Sequence, residues 1–229
     1  MIQEEDNMSD TAASDLVLHH FPNACSQTSL FALEEAGLEY ELSLVDLASD
    51  EQSSPRYAAI SPLGKVPALR VGATVLTENA AILTYIAAAK PKSRLFPAPT
   101  TPFALAERQA GLSFCGGTVH PIVRGIAAPY RLTDGETAPV RSRAVALAEK
   151  NFAFADRRLA ERGWWLGEWS VIDVYLNWAM QTAVRGGFDL TPYAELARLP
   201  ERLTERPAFT RTMRIEEESL AALAARQAS

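Results

Sequence analysis

The chain changes its hydrophobic period once, at a proline-rich stretch, and that change limits the fold more than any other feature. Up to residue 89, short apolar runs alternate with segments of helix length. Leu16–His20 is a brief apolar run. Ser26–Ala36 puts Leu30 and Leu33 on one face before Gly37, a residue suited to the left-handed position that ends helices. Tyr40–Val45 alternates polar and apolar residues as a half-buried strand does. Pro67–Val71 and Thr74–Leu76 flank Gly72 as a hairpin, and Asn79–Ala88 follows as a helix. This order predicts a mixed sheet with helices packed on it. Beyond the segment Lys90–Pro102, with its four prolines, strand signals vanish. There Val145, Ala148, Phe152, Ala155 and Leu159 recur at intervals of three and four, the spacing of a buried helical stripe. The expected organisation is an α/β domain over 15–90, a semi-rigid linker over 91–101 and an all-helical domain over 102–229.

A chain of 229 residues can bury a sizeable core in one or two such units. Its apolar runs, such as Tyr85–Ala89, fall far short of the roughly 20 residues a membrane span needs, so no membrane partner is expected. Residues 1–14 carry Glu4, Glu5, Asp6 and Asp10 without Lys or Arg, unlike a secretory leader, and are expected to form a disordered acidic tail on a cytoplasmic protein. Setting that tail aside, the formal charge of -6 shrinks to 24 carboxylates against 22 cations. A body so balanced has no field with which to gather nucleic acid. Two cysteines, Cys25 and Cys115, are too few for a disulfide framework. His19 and His20 are adjacent, so in a strand they point oppositely, and no metal site is expected.

Three stretches then stand out. In Ser61-Pro62-Leu63-Gly64-Lys65-Val66-Pro67-Ala68-Leu69 a proline falls where a strand should start. Thr77-Glu78-Asn79 opens a helix, where free backbone donors and the dipole favour an anion and Asn79 can serve as a cap. In Gly167-Glu168-Trp169-Ser170-Val171-Ile172-Asp173, Ser170 and Asp173 have the spacing of a capping box, a stability motif with no catalytic part. Together, in this order over residues 15 to about 180, they resemble the glutathione transferases. The resemblance implies a thioredoxin-like N-terminal domain that binds glutathione and an all-α C-terminal domain that supplies the second substrate's pocket. It implies a cis bond before Pro67, with Val66 pairing its backbone to the cysteinyl part of glutathione. Glu78 and Asn79 would hold the γ-glutamyl end, and Lys65 would join the site. The family usually has Ser where this chain has Asn79.

The stretch His19-His20-Phe21-Pro22-Asn23-Ala24-Cys25-Ser26 lacks the tyrosine of the tyrosine-type enzymes and looks most like the bacterial beta class. The class cysteine then maps onto Cys25, the adjacent serine onto Ser26, and a class tyrosine onto His20. A thiol at a helix N-terminus is expected to have its thiolate favoured, which makes Cys25 a redox and covalent candidate and leaves Ser26 as the hydroxyl donor to a glutathione thiolate. Ser113 and His120, seven apart, share a helical face, with Gly116 and Gly117 between them suggesting a close approach. The beta-class likeness puts His120 near the glutathione thiol as a catalytic residue and Ser113, which stands where the class has asparagine, among the glutathione-binding residues; helix-packing glycines beside a surface histidine are the alternative reading of this segment. Cys115 is offset from that face and reads as core; Trp164, Trp165 and Trp178 read as packing, with Trp164 or Trp165 able to edge a pocket.

The expected activity is transfer of glutathione, as co-substrate, to a small hydrophobic electrophile. A thiol–disulfide transfer enzyme using Cys25 and a non-catalytic transferase-like binding protein are the alternatives. The resemblance also implies a homodimer.

Overall fold

A computed structural model of the chain describes residues 15–228; the acidic segment 1–14 lies outside the described residues. The elements follow the expected order. Strand β1 (Leu16–His20) leads through helix α1 (Ser26–Ala36) to β2 (Glu41–Leu44), the short α2 (Pro55–Ala58), β3 (Ala68–Val71), β4 (Thr74–Thr77) and α3 (Asn79–Ala89). The sheet order is β2-β1-β3-β4, with β1 and β2 parallel and the other neighbours antiparallel. Leu18 faces Leu42 on one side and Leu69 on the other, which fixes the register of the buried face.

Helix α1 stops at Gly37, whose φ of 61° is the left-handed geometry anticipated there; its N–H donates to Glu34 and Leu33 carbonyls. The helix is buried on more than one face, because α1 touches α3 beside it and two helices of the C-terminal half above it. Leu30, Phe31 and Leu33 are fully buried, contributing about 2 kcal/mol each by removal from water.

From Pro102 onward the described residues contain helices and no strand: α4 (Pro102–Ser113), α5 (His120–Ala127), α6 (Thr137–Arg162), α7 (Val171–Arg185), α8 (Ala194–Thr204) and α9 (Pro207–Ala228). Residues 91–101 hold only one 3₁₀ turn, Pro91–Ser93. The α6 stripe is Ala144, Ala148, Phe152, Ala155 and Leu159, so it begins one residue earlier than Val145. Helix α7 is nearly all core, and it and α9 are the helices that lie on α1. One continuous apolar cluster thus runs from Leu18 and Leu69 through Phe31 to Trp178 and Phe152.

The capping box anchors α7. Asp173 Oδ2 accepts from the Ser170 N–H and hydroxyl, each at 3.0 Å, and Oδ1 accepts from the Trp165 N–H at 2.8 Å. The next amide, Val171 N–H, donates to Leu95 O at 2.8 Å and ties the segment after α3 to the bundle. No helix among the described residues is long and apolar enough to cross a membrane.

The join between α4 and α5 departs from the expected regular helix. Residues Phe114–Val119 form a π turn, with the His120 N–H donating to Cys115 O, five residues back. Pro121 explains it: proline has no N–H to return to the carbonyl four residues earlier, and its ring crowds that carbonyl, so the preceding turn widens. The wider turn breaks the two-turn spacing of Ser113 and His120. Gly116 and Gly117 also serve no tight approach: a Cβ at Gly116 would meet nothing nearer than 3.5 Å and one at Gly117 nothing within 4 Å. The close contact falls at Gly111, where a Cβ would stand 2.5 Å from Trp165 Nε1.

Candidate functional site

A cavity of about 540 Å³ opens between the sheet and the helical half. Its sheet-side wall is made by Cys25, Lys65, Val66, Pro67, Glu78 and Asn79. The helical wall is made by His120 and Arg124 on α5, Arg131 just beyond it, and Tyr175 and Trp178 on α7. Of the residues singled out by sequence for the site, Ser26 and Ser113 do not line it, and neither Trp164 nor Trp165 edges it.

The sheet-side wall is built by its loops. The Val66–Pro67 peptide is cis. Lys65 O accepts from the Tyr57 hydroxyl and the Ser61 hydroxyl, both at 2.9 Å, and Lys65 N–H returns to Ser61 Oγ at 3.2 Å, so the 61–66 loop is braced from inside. Glu78 sits before α3 at φ 68°, a left-handed backbone that costs energy outside glycine and turns this carboxylate residue into the cavity rim. Asn79 is not the cap. It is the first helical residue, and its amide donates to Cys25 O at 2.9 Å while its carbonyl accepts from the Ser29 hydroxyl at 2.6 Å. The side chain therefore binds α3 to the start of α1; the Ala81 and Ile82 N–H groups donate to Glu78 O at 3.1 and 3.0 Å, and those of Asn79 and Ala80, beside Glu78, have no acceptor within the helix.

Cys25 immediately precedes α1, at its N-cap, and is 8% exposed, with its Sγ donating to Val66 O at 3.4 Å. The expected thiolate is not favoured. Burial pushes the thiol up to about 12, and the Arg124 and Lys65 charges that act the other way do not offset it. Ser26 is fully buried: its hydroxyl lies 2.8 Å from His20 Nδ1 and donates to Phe21 O at 3.2 Å, away from the cavity. It is therefore not positioned to donate to a ligand's sulfur. Ser113 is exposed and off the site, for the reason given by the π turn.

His120 is on the wall. Its Nδ1 lies 3.2 Å from the Tyr175 hydroxyl, and its ring meets Trp178 edge-on at 4.6 Å. Burial, then the Arg124 and Lys65 charges, lowers its pKa to about 4, so the imidazole is neutral at pH 7. Cys115 is buried core, as expected; Trp178 is both packing and wall.

The loop before Cys25 is held from the helical half. Asn23, at φ 62°, donates its N–H to Glu216 Oε2 on α9 at 2.5 Å, and its carbonyl accepts from Trp178 Nε1 at 3.0 Å and from Arg185 at 3.3 Å. Glu216 Oε1 also stands 3.1 Å from His20 Nε2, both side chains buried. These residues, with Arg124 and Arg131, were not found by sequence reasoning. Arg124 lies one turn after His120, and the face they share was the available signal. Among the described residues no group of three or more His, Cys, Asp or Glu is placed to hold a metal.

Residues 24–89 match the family model described as the glutathione S-transferase N-terminal domain. A curated relative from Xanthomonas campestris pv. campestris, glutathione S-transferase GST-4.5, is 30% identical over 189 residues, which is 81% of this chain and 91% of that protein. Among solved structures, a sphingomonad glutathione S-transferase complexed with glutathione superposes with a TM-score of 0.78 at 31% identity, over 88% of this chain and 98% of the other. The bacterial beta class enzyme of Sphingomonas chungbukensis does so with a TM-score of 0.77 at 29% identity, over 87% and 98%.

Proposed function

The chain belongs to the glutathione S-transferases, and on that premise we propose that it joins glutathione to a small, largely apolar electrophile, with glutathione lying along Lys65, Val66, Glu78 and Asn79. The observation that carries this reading is the sheet-side wall itself. Glu78 offers a carboxylate to the ammonium of the γ-glutamyl group, beside the free N–H groups at the start of α3 that donate to that group's carboxylate. Val66 supplies backbone to the cysteinyl part, and Lys65 with Gln52 meets the glycyl carboxylate. The sulfur then falls between Cys25 and the helical wall.

Conjugation needs the glutathione thiol as its thiolate. With Ser26 turned inward, the donor on this wall is the Cys25 thiol, which at neutral pH keeps its proton and, by rotating away from Val66 O, can donate it to the glutathione sulfur. The glutathione thiol releases its proton to solvent, the thiolate attacks the electrophilic carbon, the carbon–sulfur bond forms, and the leaving group departs with the electron pair of its bond. His120 stays neutral and shapes the pocket against Tyr175 and Trp178. Thiol–disulfide transfer remains the second reading because Cys25 lines the cavity, but it demands the thiolate that burial disfavours. We assign the working form as a homodimer, supported by apolar side chains bared on α4 and α6, among them Phe103 at 77% exposure, with Leu105 and Phe154.

Turnover of chlorodinitrobenzene with glutathione tests the reading. The expected result is a rate saturable in both substrates and largely kept in Cys25→Ser, whose hydroxyl also donates. A rate no faster than the uncatalysed reaction would overturn it.

A further inference from the structure

Charge on the two walls is unequal. On the sheet side, Lys65 is balanced by Glu78, and the groups a glutathione molecule needs are all present there. The helical wall adds two guanidinium groups, Arg124 and Arg131, with no carboxylate of its own: among the described residues neither forms an ion pair. Arg124 is half-buried, and burial together with the nearby Arg131 charge holds its pKa below the usual guanidinium range. Arg131 is exposed and lies over the Tyr130 ring, while Arg124 is drawn partly out of water beside it, so an anion reaching both would relieve the repulsion between two like charges. The surroundings of that anion are apolar: Pro121, Ala128 and Leu132 line the same wall, and Leu132 is exposed at the mouth.

Resting on the reading above, we propose that Arg124 and Arg131 form an anion subsite for the second substrate, which is an apolar electrophile carrying a carboxylate. The guanidinium fork matches a carboxylate in shape as well as in charge. The substrate's apolar body lies on Pro121, Ala128 and Leu132, its carboxylate reaches the two arginines, and its reacting carbon faces the sulfur near Cys25. A neutral electrophile of the same size would fill the apolar part and leave the two guanidinium groups only the glutathione thiolate to meet.

The test compares two conjugates of glutathione that differ only in charge on the aryl group, the carboxynitrophenyl and the dinitrophenyl thioethers, by calorimetry on the full chain. The wild type is expected to bind the carboxylated conjugate about tenfold tighter, the size of one charge-assisted pair. Raised salt should shrink that preference. In Arg124→Met and in Arg131→Met the ratio of the two affinities should fall toward one, and because it is a ratio, a variant that is partly unfolded still reports it. Equal wild-type affinities, or a preference that survives both substitutions, would overturn the subsite while leaving glutathione binding intact. An arginine variant that loses affinity for glutathione itself, with no preference in the wild type, would assign the guanidinium to glutathione instead. Failure of the wild type to bind glutathione at all would overturn the underlying reading, and the subsite with it.

Discussion

At the residue scale, position and burial pull Cys25 in opposite directions. The start of a helix lowers a thiol's pKa, and exclusion from water raises it; with 8% exposure the second wins and the thiol is pushed up to about 12. Iodoacetamide should therefore label Cys25 at pH 8 at least about a hundredfold more slowly than free cysteine, because labelling follows the thiolate fraction. Peptide mass mapping over time reads this directly, and fast labelling would show that the helix terminus prevails. His120 gives a second residue-scale outcome. Its folded pKa of about 4 lies below the reference 6.5, so the unfolded chain takes up the proton first as pH falls. The stability its neutral form contributes is complete above 6.5 and is lost on the way down to about 4. Denaturant midpoints at pH 7 and pH 5 should thus lie farther apart in the wild type than in His120→Gln; an unchanged difference would remove His120 as the cause.

At the scale of elements, the α7 cap is the clearest prediction. Removing Asp173 leaves the Trp165 and Ser170 N–H groups buried without an acceptor, so Asp173→Ala should cost about 3 kcal/mol, against about 1 kcal/mol for Ser170→Ala. Urea unfolding of the two variants checks the order, and equal costs would show that the carboxylate is not the centre of the motif. Asp173 also acts on pH in the sense opposite to His120. Burial raises its pKa from 3.8 to about 6, so its protonation favours the folded state as pH falls between those values, softening the loss from the histidine. Much of this was legible in the sequence: Gly37 ended α1 where a left-handed residue was expected, Gly72 turned the hairpin, and Ser170 and Asp173 had the spacing of a cap. The π turn at Phe114–Val119 was hidden because its cause, Pro121, follows the residues it distorts. Ser26 was misplaced because a residue at a helix start can face either the ligand or the sheet, and here Phe21 O and His20 Nδ1, at the end of β1, hold its hydroxyl.

At the scale of the whole molecule, the site exists only where the two halves meet, which is why its sheet side could be read from local motifs and its helical side could not. Lys65, Val66, Pro67 and Glu78 are close in sequence; Arg131, Tyr175 and Trp178 reach the same cavity from distant parts of the chain. Glu216, nearly two hundred residues from Asn23, helps hold the loop that presents Cys25. A homodimer should sediment at about twice 25.0 kDa at micromolar concentration, whereas a species of 25.0 kDa would contradict the assignment. The central claim is that the sheet-side wall, with the carboxylate of Glu78 beside the open amides of α3, binds glutathione. Calorimetric titration of glutathione into the wild type and into Glu78→Ala tests it most directly. The account predicts saturable binding with one glutathione per chain, weakened about tenfold or more by the substitution; no binding to the wild type, or equal affinity in the two proteins, would contradict it.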